Sequence, residues 1–201
     1  GKIETPQGEK TITLGRYDFN TSGNVIQVSS SFKEETASEH ASSGYGNTIA
    51  KDINAFKNSA NANGGYYIGR YEAGDALATS SERSSSTKPI VCKTGVYPYN
   101  YITQPQAASL CQNMYSSNNF TSDLINSYAW DTAIVFIQEC SGDKNYSTQI
   151  GENTETYLQK VGESILANVD SGDESKDVRC NIYDMAGNTR EWTTETYSYI
   201  D

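Results

Sequence analysis

Histidine is almost missing from these 201 residues, His40 being the only one. A histidine triad and a multi-histidine metal site are excluded by count. His40 itself, set in a Ser/Glu-rich stretch, reads as a solvated loop residue. Basic side chains are also scarce: 15 Lys and Arg against 25 Asp and Glu give a net charge of −10. That balance repels phosphate backbones and anionic lipid, so neither nucleic acid nor a membrane surface is an expected partner. No apolar run approaches the roughly 20 residues of a membrane-spanning helix, and the polar opening GKIETPQGEK is not itself a signal peptide. The four cysteines, Cys92, Cys111, Cys140 and Cys180, show no CxxC spacing, which argues against a zinc ribbon or a thioredoxin-type dithiol. They are compatible with two disulfides in any of three connectivities, or with buried free thiols, and spacing does not choose.

What is abundant is tyrosine and glycine, 15 and 16 residues, in a chain that is 36% hydrophobic and 20% charged. This composition suits a loop-rich, turn-rich domain with an aromatic core and is poor for a helical bundle. The length suffices for one well-packed domain and by itself leaves two small ones open. Few basic residues and many Ser, Thr, Asn and Tyr are the composition of extracellular or cell-surface bacterial proteins.

Periodicity divides the chain into an N-terminal strand and loop extension, 1–46, and a main domain, 47–201. In the extension, residues 11–14 and 25–28 alternate as strands joined by a turn at 21–24, and 29–46 read as a loop. Ile49, Ile53 and Phe56 recur at helical spacing, a helix that the glycines at 64–65 end. Residues 65–71 read as the best strand, and 78–88 as a polar loop. Thr103 and Gln106 flank Pro105 as a capping box, with Ala107, Leu110, Cys111 and Met114 on one apolar face. Asn126 or Ser127 starts a second helix, with Trp130, Ala133, Ile134 and Ile137 inward. Leu158, Val161 and Ile165 suggest a third over 155–166, and 171–176 an acidic surface loop. Arg70 and Glu72 read as a surface ion pair. The aromatic run Tyr97–Tyr101 reads either as a ligand platform or as tyrosines packed under loops.

The most informative run is CNIYDMAGNTREWT, residues 180–193, with acids, amides and a tryptophan around Gly187. It reads either as a tight turn in which Asp184 and Asn188 bond their own backbone while Tyr183 and Trp192 join the core, or as an oxygen cage for a hard cation. Taken with GGYYIGRYEAG at 64–74, YITQPQAASLCQNM at 101–114 and SYAWDTAIVFI at 127–137, it resembles the formylglycine-generating-enzyme (sulfatase-modifying factor) domain family. The likeness spans about residues 64–197, and the Tyr-Asp-Met-x-Gly-Asn-x-x-Glu-Trp signature carries most of it.

The resemblance implies a C-type-lectin-like α+β fold in which Trp130 and Trp192 are both buried. It also implies a calcium site built from the Asp184 carboxylate, the Gly187 and Thr189 carbonyls and the Glu191 carboxylate. The family's enzymes oxidise a substrate cysteine with cysteines of their own, beside an Arg-Gly-Gly-Ser segment C-terminal of the signature. This chain has neither. Cys111 matches a position that is usually structural in the family, and no catalytic residue carries over. The expectation is therefore a non-catalytic ligand-binding or display module of a bacterial or phage surface protein, nearest to the variable proteins of diversity-generating retroelements. Its partner would be a protein or glycan, and its location extracellular or at the cell surface, a phage particle included. A cysteine-oxidising enzyme whose catalytic end lies beyond this chain, and a pilin-like structural subunit, are the alternatives.

Overall fold

A computed structural model describes residues 1–19, 25–27, 53–78, 90–115, 117, 119–146, 160–163, 165–168, 173–176, 178–185, 187–189 and 191–194. The loop at 29–46 with His40, the turn at 21–24, most of the loop at 78–88 and Leu158 lie outside these residues. Among the described residues the chain is a loop-rich mixture of three helices and short antiparallel strands. The order is β1 (Lys2–Thr5), β2 (Gly8–Thr11), β3 (Tyr17–Phe19), β4 (Val25–Gln27), α1 (Ile53–Asn63), β5 (Gly74–Asp75), β6 (Ile90–Val91), β7 (Tyr97–Pro98), α2 (Gln104–Met114), α3 (Ser127–Ser141), β8 (Ile165–Asn168), β9 (Asp173–Lys176), β10 (Val178–Arg179) and β11 (Ile182–Tyr183).

The helices begin and end where local chemistry dictates. On α2 the Thr103 hydroxyl accepts from the Gln106 amide, and the Gln106 side chain accepts from the Thr103 amide at 2.9 Å, so two orphan donors are satisfied reciprocally. On α3 the Asn126 side chain caps through the Ala129 amide at 2.9 Å, and Gly142, at φ 77, closes the last turn onto the Gln138 carbonyl. α1 ends at Gly64, with φ 73, and the Gly65 amide reaches back to the Ala60 carbonyl at 2.8 Å, a glycine-dependent stop.

The core is organised around α3. Ala133, Ile134 and Ile137 pack with Tyr146, Ile182 and Met185, and Phe19, Ile68, Ile125, Trp130 and Phe136 line the edge. Three parts of the chain distant in sequence thus share one apolar cluster with this helix. The N-terminal segment is held to it by polar contacts as well. Arg16 Nε and the Tyr17 amide both donate to Asp131 Oδ2 at 2.8 Å, and the Gly15 amide donates to Thr132 Oγ1 at 3.2 Å.

β5 is the middle strand of the order β6-β5-β7. Gly74 is required there, because a Cβ would come within 2.3 Å of Val96 Cγ2. β10 and β11 form a hairpin whose register pairs Arg179 with Ile182. Its two turn residues, Cys180 and Asn181, have φ 52 and 63, as a two-residue type I′ turn demands.

Several expectations are corrected. β4 falls where a strand was expected, but its partner is Tyr17–Phe19, not residues 11–14; beyond Thr11 the chain leaves β2, with Ile12 buried and Gly15 bonded to α3. Residues 65–69 form no ladder. The expected alternation survives, with Tyr66 half-buried, Tyr67 fully exposed and Ile68 packed on the core, but the backbone contact to the signature hairpin is a bond from the Tyr183 amide to the Arg70 carbonyl. A helix over 155–166 is not formed through its C-terminal part. Gly162 has φ 78, which a right-handed helix cannot accommodate, and Ile165–Asn168 pairs with Asp173–Lys176 as a hairpin, so part of the expected acidic loop is strand.

Candidate functional site

The signature run begins on β11 and turns sharply at Asp184, which is buried and has φ 59. Asp and Asn tolerate the left-handed region better than other non-glycine residues, and Asn188 uses it too, at φ 64. Asp184 Oδ2 accepts from the Gly162 amide at 2.5 Å, a charge-assisted bond that ties the turn to residues 160–163. Gly162 fits this role because a Cβ there would meet Thr94 Cγ2 at 2.7 Å. Tyr183 packs its ring against Tyr71, with centroids 4.8 Å apart.

Glu72 is the residue that sequence reasoning missed. It is not a surface ion-pair partner: it is half-buried against the signature turn. Asn188 Nδ2 and the Thr189 hydroxyl each donate to its carboxylate at 2.6 Å. Burial pushes the Glu72 carboxyl up to about 8; the two hydrogen bonds oppose this, and the nearby Asp184 and Glu191 charges reinforce it. Its signal was present in the sequence as the acid of the YEAG run, but no local pattern indicates which distant turn that acid meets.

Of the groups expected to hold calcium, the Asp184 and Glu191 carboxylates and the Gly187 carbonyl each engage a protein partner. Asp184 meets the Gly162 amide, and the Gly187 carbonyl accepts from the Thr189 amide at 2.9 Å. The Thr189 hydroxyl donates to Glu72, and Glu191 Oε2 accepts from the Trp130 indole at 2.5 Å. Calcium needs six to eight oxygens converging on one point. Here amide and hydroxyl donors turn towards the central carboxylate, and Glu191 is drawn towards Trp130. Among the described residues no three His, Cys, Asp or Glu side chains stand close enough to hold a metal ion. In this arrangement the residues form a hydrogen-bonded turn.

Beyond Glu191 the chain runs across the start of α2. The Trp192 indole donates to the Ile102 carbonyl at 3.1 Å, Gln104 Nε2 donates to the Thr193 carbonyl, and the Thr194 amide donates to the Ile125 carbonyl at 3.0 Å. Trp130, expected to be buried, is half-buried at the edge of the core. Trp192 is not buried: it is 52% exposed. Tyr101, which precedes Ile102 in the chain, is 76% exposed and held at φ 53, a conformation uncommon for a bulky residue. Of the expected aromatic run, Tyr97 and Tyr99 are half-buried, so only Tyr101 presents its ring to solvent.

The cysteines are all free thiols. Burial, aided by Asp123, pushes Cys111 up to about 11, and burial together with Cys140 pushes Cys180 up to about 12. No family model, no curated protein and no solved structure matches the chain.

Proposed function

We propose that this chain is a non-catalytic ligand-binding module of a surface protein, and that it meets its protein or glycan ligand through the aromatic platform of Tyr101 and Trp192. The observation that carries this reading is the exposure of Trp192 where burial was expected. The indole N–H is already taken by the Ile102 carbonyl, so the ring is anchored while half of its surface stays open to solvent. Rigid Trp and Tyr rings offer large contact area at little entropic cost, and for that reason they dominate binding hot spots. Gln104, Glu191 and Thr193 supply polar groups around them. The net charge of −10 favours neutral or basic ligands over acidic ones. Support for the non-catalytic part comes from the raised Cys111 and Cys180 thiols, since an activated nucleophilic cysteine has a depressed pKa.

The test is binding of the purified chain to panels of immobilised neutral polysaccharides and bacterial surface proteins. Trp192→Ala and Tyr101→Ala should each weaken the strongest interaction tenfold or more. The melting temperature should change little, because a half-exposed ring with one hydrogen bond contributes only about 1 kcal/mol to folding. Variants that bind as the parent does would remove the platform from the proposal.

A further inference from the structure

The hairpin turn between β10 and β11 places a cysteine where backbone geometry least favours one. Asn and Gly are the usual occupants of a type I′ turn; Asn181 follows that preference, and Cys180, at φ 52, does not. The Cys180 thiol points at the C-terminal end of α3, its Sγ 3.9 Å from the Ile137 carbonyl, which also accepts from the Ser141 hydroxyl. On a helix, positions three apart are neighbours on one face, and the residue in that relation to Ile137 is Cys140. Cys140 stands close enough to raise the Cys180 thiol's pKa, and both side chains are half-buried, within reach of a small reagent. The other two cysteines are engaged elsewhere: the Cys92 thiol donates to the Tyr71 carbonyl at 3.1 Å, and Cys111 sits on α2 near Asp123.

We infer that Cys140 and Cys180 are a disulfide-forming pair that staples the β10–β11 hairpin to the end of α3 in an oxidising compartment. The oxidant is a low-molecular-weight disulfide such as oxidised glutathione. One cysteine thiolate attacks it, forming a mixed disulfide and expelling one glutathione thiolate. The second cysteine thiolate then attacks the protein-side sulfur and expels the other. Two cysteine protons are passed to the two leaving thiolates, so two protein thiols and one glutathione disulfide become one protein disulfide and two glutathione thiols. A Cys180 thiol that holds its proton tightly reacts slowly near neutrality, and as a poor leaving group it favours a bond that resists reduction. The staple joins the helix that carries Trp130 and Asp131 to the strand that leads into Asp184, and fixes the signature turn against the core.

The folded wild-type chain is incubated with oxidised glutathione at pH 8, quenched by acid and alkylation, and mapped by mass spectrometry. The expected product is a peptide pair joined through Cys140 and Cys180, with Cys92 and Cys111 alkylated and the melting temperature raised by roughly 5–15 °C. The double variant Cys92→Ser, Cys111→Ser should form the same bond. Four alkylated cysteines, glutathione adducts that never resolve, or a bond that uses Cys92 or Cys111 would each overturn the inference.

Discussion

Glu72 concentrates the electrostatics of the signature turn in one side chain. Its carboxyl, raised from 4.5 to about 8 by burial and by Asp184 and Glu191, holds a proton in the folded state that the unfolded chain has already released. Between these two values the folded state therefore binds more protons. Stability falls as pH rises through that window, by at most about 1.4 kcal/mol per pH unit. The groups that set the slope are Asp184 and Glu191 as charges, and Asn188 and Thr189 as donors. Glu72→Gln keeps the shape and removes the titration. Denaturant melts from pH 5 to 8 should show a falling stability for the parent and a flatter profile for the variant, with the variant the more stable at pH 8. Parallel profiles would mean that Glu72 stays ionised in the fold.

The signature turn, as an element, is built from bonds to its surroundings. Asp184 reaches residues 160–163, Asn188 and Thr189 reach Glu72, and Glu191 reaches α3. Calcium at millimolar concentration, followed by excess chelator, should accordingly leave the melting curve unmoved. Calcium at ~100 times its Kd would stabilise by roughly 2.7 kcal/mol, so a rise of several degrees would show that the turn rearranges to present its carbonyls. The helices were legible in the sequence because their caps are local: Thr103 with Gln106, Asn126 with Ala129, and Gly142 need only neighbours a turn away. The inward face of α3 was legible for the same reason of periodicity. The segment at 65–71 was legible only as an alternation, because its bond to Tyr183 comes from far along the chain. Trp192 was misread because a Glu-Trp pair beside an apolar strand resembles core, whereas its burial depends on how closely the start of α2 approaches.

At the scale of the whole molecule, α3 is the meeting point. Residues 12–19 lie along it on one side, and Ile68, Ile182 and Met185 pack into the same apolar cluster. Asp131 is buried with Arg16 and the Tyr17 amide as its partners, so Asp131→Asn leaves a guanidinium without its counter-charge and weakens both bonds. Thermal or urea unfolding should show a loss of roughly 1.5–3 kcal/mol; no loss would mean that the N-terminal segment contributes nothing to global stability. The same contact constrains how the chain acquires its structure. Arg16 and Asp131 are separated by 115 positions, and a ribosome adding about 5–20 residues per second spends roughly 6–23 s between them. Throughout that interval the nascent N-terminal strands lack α3, the helix on which they settle. The contacts of residues 12–19 with α3 thus form late, and a holdase that shields the first strands during synthesis would raise the yield of folded protein more than one that acts on the finished chain.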